Sequence, residues 1–122
     1  MDHQTVILIV DDDASIRRLC QRVLHRKNVN TLEATTGKEG YDQIEEHAFA
    51  IHAVLLDLNL PDGSGTEWAT KYRELHPELP IIFFTGSSAP PECTTHSQPL
   101  FYFLKKPFTP KSMFEVLQKV LG

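Results

Sequence analysis

The chemistry in this sequence sits at the ends of four apolar runs. Asp11 and Asp12 follow T-V-I-L-I-V, Asp57 ends A-V-L-L-D, Thr85 ends P-I-I-F-F-T, and Lys106 comes just after L-F-Y-F-L. Short apolar, β-branched runs bounded by turn signals read as strands buried on both faces. Laid parallel in one sheet, such strands release their C-terminal ends at one edge, which is where open α/β sheets bind ligands. Three carboxylates, one hydroxyl and one ammonium would then converge from four strands.

Crowded carboxylates raise one another's pKa or recruit a cation. A site made of oxygen donors selects a hard ion, Mg²⁺ or Mn²⁺ ahead of Zn²⁺. The lysine and the threonine could bind an incoming anion beside that metal. Phosphoryl transfer needs these parts: a nucleophile, charge neutralisation and placed donors. A carboxylate nucleophile yields an acyl phosphate. Taken singly, each residue has a plainer reading. The run Asp11-Asp12-Asp13 also reads as a helix cap, Lys105-Lys106 as a solvated pair, Thr85 as a strand end and Phe103 as core.

The positioning elements follow from periodicity. After the first strand, residues 5–10, Ile16, Leu19, Cys20, Val23 and Leu24 mark one apolar helix face. Asp13 is placed to cap that helix, and His25, Arg26 and Lys27 suit its C-terminal end. Residues 30–34 form a weaker strand. Thr36-Gly37-Lys38 opens a second helix with Tyr41 and Ile44 inward, a thin stripe that implies loose packing. Residues 52–56 are the third strand. The loop 61–65 leads to a helix marked by Trp68, Tyr72 and Leu75, which stops near His76-Pro77. Residues 80–85 and 100–104 are the last two strands, and Pro110 starts the final helix, with Met113, Phe114, Leu117, Val120 and Leu121 inward. Cys20, Trp68 and Met113 are core candidates. Strands alternating with helices imply an α/β fold, a doubly wound five-stranded parallel sheet with helices on both faces. The segment 86–99 carries three prolines and little apolar surface. A fourth helix there is expected to be short or disordered.

A chain of 122 residues suits one domain with a real core, and 41% hydrophobic with 23% charged residues is ordinary globular composition. A net charge of −4 argues against direct nucleic-acid binding. The two cysteines and six scattered histidines form no ligand pattern, which fits a reducing, cytoplasmic setting and argues against imidazole or thiolate metal sites. No apolar run approaches the roughly 18–20 residues of a membrane span. The N-terminus lacks the basic start of a signal peptide.

V-D-D at residues 10–12, L-L-D-L-N-L-P-D-G-S-G at 55–65, T-G-S at 85–87 and L-K-K-P-F at 104–108 resemble the receiver domain of two-component response regulators, over nearly the whole chain. The resemblance implies one receiver domain over residues 1–122, flavodoxin-like, with strand order 2-1-3-4-5. It implies that Asp57 accepts a phosphoryl group from a phosphohistidine on a histidine kinase or histidine phosphotransfer protein. Asp11, Asp12, Asp57 and the backbone carbonyl of Asn59 would hold Mg²⁺, or Mn²⁺. Lys106 and Thr85 would bind the phosphoryl group, while Lys105 points to the other face. Thr85 and Phe103 would form the switch, and Asn59 and Ser87 would tune the lifetime of the acyl phosphate. The chain would not be an enzyme beyond its own phosphotransfer and autodephosphorylation. Its other partners would be a second copy in a homodimer or a downstream output domain, and it would have no membrane contact.

Three other functions compete. A dehalogenase-type phosphatase would need an acid two residues after its nucleophile, where this chain has Asn59. A docking-only receiver would not need the full Asp11/Asp12/Asp57/Thr85/Lys106 set. A flavodoxin-like cofactor binder would need a phosphate-cradling loop where Asp11-Asp12-Asp13 stands.

Overall fold

The computed structural model describes residues 5–47, 50–85, 101–106 and 108–121, with Thr85 and Phe101 described by their backbone alone. In chain order the elements are β1 (Val6–Val10), α1 (Ala14–His25), β2 (Asn30–Ala34), α2 (Gly37–His47), β3 (Ala53–Asp57), β4 (Asn59–Leu60), β5 (Gly63–Ser64), α3 (Gly65–Leu75), β6 (Ile81–Thr85), β7 (Phe101–Lys105) and α4 (Pro110–Leu121). The expected fourth helix, within 86–99, lies outside the described residues, as does Ser87.

Five strands form one sheet in the order β2-β1-β3-β6-β7, and every adjacent pair is parallel. Without the small hairpin β4–β5, this is the expected order 2-1-3-4-5. Strand residues alternate between two cores. Leu8, Val10, Val54, Leu56, Ile81 and Phe83 face α2 and α3, where Ile44, Ala69 and Tyr72 complete one cluster. Ile7, Ile9, Ala53, Leu55, Ile82 and Phe84 face α1 and α4, against Cys20, Val23, Leu24, Met113 and Leu117. Both faces are covered, so the central strands carry no polar alternation. Every residue of β3 is buried, including its terminal Asp57.

Local signals set the helix limits. Asp13 caps α1 by accepting from the Ser15 N–H at 2.8 Å. Ser64 caps α3 by accepting from the Glu67 N–H at 3.2 Å, and α3 ends at Leu75, ahead of His76-Pro77. Thr109 and Ser112 bond each other's backbone N–H groups at 3.0 Å around the start of α4.

Two expectations need correction. Leu19 lies at one margin of the α1 stripe and is 36% exposed, so the buried face is narrower than the apolar one. The thin stripe of α2 does not mean loose packing. Gly37 and Gly40 are buried in its interface with α3, and a Cβ on Gly37 would fall 2.2 Å from the Trp68 indole nitrogen. The Tyr72 hydroxyl donates to the Gly37 carbonyl at 2.8 Å. Here the missing side chains of α2 make room for the large ones of α3. Trp68 itself is only partly buried over this contact.

Candidate functional site

The C-terminal ends of β1, β3 and β7 bring Asp11, Asp12, Asp57 and Lys106 together. Asp11 directly follows β1 and extends its pairing, with its N–H donating to the Ala34 carbonyl at 3.1 Å. It is fully buried. One carboxylate oxygen accepts from the Asp13 N–H at 2.9 Å, and the other from the Lys106 ammonium at 3.1 Å. Its carbonyl accepts from the Arg17 guanidinium at 2.8 Å, and Arg17 is held in turn by Glu33 at 2.9 Å. Asp12, one residue on, is exposed.

Asp57 is 9% exposed. Its Oδ1 accepts from the Asn59 N–H at 3.3 Å and lies 3.7 Å from Lys106 Nζ. Asp11, Asp12 and Asp57 each offer one oxygen, and these atoms lie within 4.8 Å of one another. Burial pushes the Asp57 carboxyl up from its ordinary value, and the Asp11 charge pushes it further, with a small push from Asp12. Lys106 and the Asn59 N–H pull it down without cancelling the rise. Three crowded oxygen donors with a deficit of positive charge fit a hard divalent cation.

Lys106 reaches this pocket because β7 pairs in register with β6, Thr85 opposite Lys105 and Phe84 opposite Leu104. Lys105 is exposed and Lys106 half-buried. The ammonium also lies 5.5 Å from the centroid of the Phe84 ring, which stacks on Phe108 at 5.3 Å. That aromatic wall shields one side of the ion pair.

Thr85 ends β6 at the same sheet edge, one residue beyond the Asp57–Phe84 pair. Phe103 lies mid-strand in β7, half-buried and stacked on Phe83 at 5.7 Å, on the α2/α3 side of the sheet. Asn59 is exposed and opens the hairpin β4–β5.

Three supporting residues escaped the sequence reading. Arg17, which the sequence reading did not single out, bonds the Asp11 backbone. Asp62 lies in the β4–β5 turn and bonds the N-terminal turn of α2 through both carboxylate oxygens. Gly65 starts α3 directly beneath Asp57, where a Cβ would fall 2.3 Å from the Asp57 carbonyl oxygen. Gly65 and Asp62 both stand in the P-D-G-S-G run, but the run gives no sign of which backbone groups they meet.

Comparisons with known proteins agree with this geometry. The sequence profile described as response regulator receiver domain matches residues 7–118. The transcriptional regulatory protein SrrA of Staphylococcus aureus is 45% identical over 80 residues, 66% of this chain but 32% of SrrA. The chain thus spans about a third of the curated relative it matches. A CheY-like receiver domain protein from Methanospirillum hungatei superimposes with TM-score 0.83 at 28% identity, over 94% of this chain and 91% of that one. The chemotaxis protein CheY4 of Vibrio cholerae gives 0.84 at 25% identity, over 96% and 98%. NtrX from Brucella abortus gives 0.85 at 26% identity, over 99% of this chain and 27% of NtrX. No described helix is long and apolar enough to cross a membrane.

Proposed function

The chain belongs to the response regulator receiver domain family of two-component signalling, and from that premise we propose that it is a phosphorylation-dependent switch with Asp57 as phosphoacceptor. The observation that carries this reading is the placement of Asp57 at the end of β3: nearly buried, 3.7 Å from an ammonium, and with two further carboxylates in reach. A carboxylate oxygen of Asp57 attacks phosphorus on a partner's phosphohistidine. The P–N bond breaks, its electron pair returns to the imidazole, and an acyl phosphate remains on Asp57. The donor is a histidine kinase or a histidine phosphotransfer protein.

The side chains of Asp11, Asp12 and Asp57 and the Asn59 carbonyl would hold Mg²⁺, or Mn²⁺, which when bound supplies positive charge to the transferring phosphoryl oxygens. Lys106 supplies the second counter-charge. In the resting state it bonds Asp11 at 3.1 Å and stands off Asp57 at 3.7 Å, so it can turn toward a phosphoryl group without leaving the pocket. Thr85 would supply a hydroxyl to the phosphoryl group, and Phe103 would respond to its movement. Asn59 and Ser87 would tune the hydrolysis rate of the acyl phosphate. The charge added at Asp57 is bound differently in the two states, and that difference shifts the population of the output face. Homodimer formation or an attached output domain would read that face.

The test is direct. Incubated with Mg²⁺ and a small acyl phosphate donor, the protein gains one phosphoryl group by intact mass, and chelation abolishes the gain. Asp57→Asn stays unmodified. Equal modification of Asp57→Asn removes Asp57 from the role. A parent chain that turns over a phosphate ester continuously is instead a phosphatase.

A further inference from the structure

Asp62 is exposed and stands outside the acidic pocket, yet it joins three elements. One carboxylate oxygen accepts from the Gly37 N–H at 2.8 Å and the other from the Lys38 N–H at 2.9 Å. Its backbone carbonyl accepts from the Trp68 indole N–H at 3.3 Å. The turn between β4 and β5 is thereby bonded to the start of α2 and to the side of α3.

That turn closes the hairpin carrying Asn59, whose N–H holds Asp57 Oδ1 at 3.3 Å. The hairpin has only two residues in each strand, Asn59 opposite Ser64 and Leu60 opposite Gly63. A two-stranded hairpin of this size does not hold its own shape in water. At its base the Gly65 N–H bonds the Leu58 carbonyl at 2.8 Å. At its tip the anchor is Asp62. Burial works against the Asp62 charge, but the two N–H groups outweigh it and hold the carboxyl below its ordinary value. The anchor is therefore ionised at neutral pH, facing the positive end of the α2 dipole.

We propose that Asp62 is a positioning residue for the acidic pocket: by bonding the hairpin tip to α2 it fixes the Asn59 peptide against Asp57, and so sets the pocket's affinity for a divalent cation. The proposal rests on the reading in which Asp11, Asp12, Asp57 and the Asn59 carbonyl hold Mg²⁺. The plainer role for Asp62 is a cap on α2 that matters for stability alone.

A matched pair of variants separates the two roles. Thr36 caps the same helix end by accepting from the Glu39 N–H at 3.0 Å, and that bond does not involve the hairpin. Parent, Asp62→Ala, Asp62→Asn and Thr36→Ala are titrated with Mg²⁺ by calorimetry. The Asn59 amide resonance is followed, and each protein is melted. Asp62→Ala and Thr36→Ala both melt lower. Only Asp62→Ala weakens Mg²⁺ binding, by about tenfold, the lower end of the cost of losing an outer-shell partner. It also moves the Asn59 amide. Asp62→Asn keeps one acceptor and falls between; it carries the test if the alanine variant does not fold. Mg²⁺ affinity unchanged in a folded Asp62 variant, or weakened equally in Thr36→Ala, overturns the positioning role and leaves the phosphoacceptor reading standing. A parent chain that binds no Mg²⁺ overturns both.

Discussion

Gly65→Ala is the sharpest small perturbation the structure offers. The added Cβ would lie 2.3 Å from the Asp57 carbonyl oxygen, 2.9 Å from Leu58 Cα and 3.1 Å from the Asp57 carbonyl carbon. Ordinary contact begins at about 3.5 Å, so the deficit exceeds an ångström and all three neighbours are backbone. No rotamer change relieves it; β3 and α3 must separate. Overpacking of this kind costs about 1–3 kcal/mol, and backbone neighbours place it at the upper end. Exchanging glycine for alanine in a helix returns at most about 1 kcal/mol. The net loss is about 2 kcal/mol, which lowers Tm by roughly 8 °C for a domain near this size. Because the displaced atom belongs to Asp57, phosphoryl uptake with Mg²⁺ should slow as well. Melting followed by circular dichroism, and uptake followed by intact mass, check both parts. A variant that melts at or above the parent temperature refutes the packing argument. One that melts low yet accepts phosphate at the parent rate refutes the link between α3 packing and Asp57.

Three further outcomes follow from the same site. With chelator present, Asp57→Asn should be more stable than the parent at neutral pH. The folded Asp57 pKa is raised, so the parent's stability is full below the unfolded carboxyl value near 3.9 and falls as pH rises through the folded value; the variant lacks that slope in urea unfolding across pH. Lys106→Met should destabilise by about 2 kcal/mol, measured the same way, because fully buried Asp11 loses its ammonium; the quarter exposure of Lys106 keeps this below the range for fully buried pairs. Burial, followed by the Asp11 charge, pushes the Cys20 thiol up to about 12. In a Cys93→Ser background it should therefore resist a thiol reagent at pH 8 until the protein unfolds.

The sheet and its acidic edge were legible because each candidate site residue follows its own apolar run. Asp11, Asp57 and Lys106 needed only the parallel arrangement to meet, and β-branched runs separated by helical stripes imply that arrangement. The supporting bonds were not legible. Arg17 reaches the Asp11 carbonyl and Asp62 reaches the first turn of α2 through contacts set by how loops and helices dock, which no periodicity encodes. Leu19 shows the limit of an apolar stripe, since the pattern gives its direction and the neighbouring elements decide its width. The glycines of α2 misled in the opposite sense. A stripe with few side chains looked weakly packed, while the partner helix supplied the bulk.

That arrangement in α2 also has a kinetic side. Of its two glycines Gly37 opens the eleven-residue helix and Gly40 lies inside it, where it removes roughly 1 kcal/mol of intrinsic helicity relative to alanine. On its own α2 has little reason to form. It gains order from Trp68 and Tyr72 on α3 and from the Asp62 carboxylate, all of which come later in the chain. The helix should therefore form late in folding, condensing onto a sheet and an α3 already in place. Substitutions confined to its outer surface should speed unfolding and leave the folding rate nearly unchanged. Its amides should exchange through an opening that costs less than unfolding the whole domain.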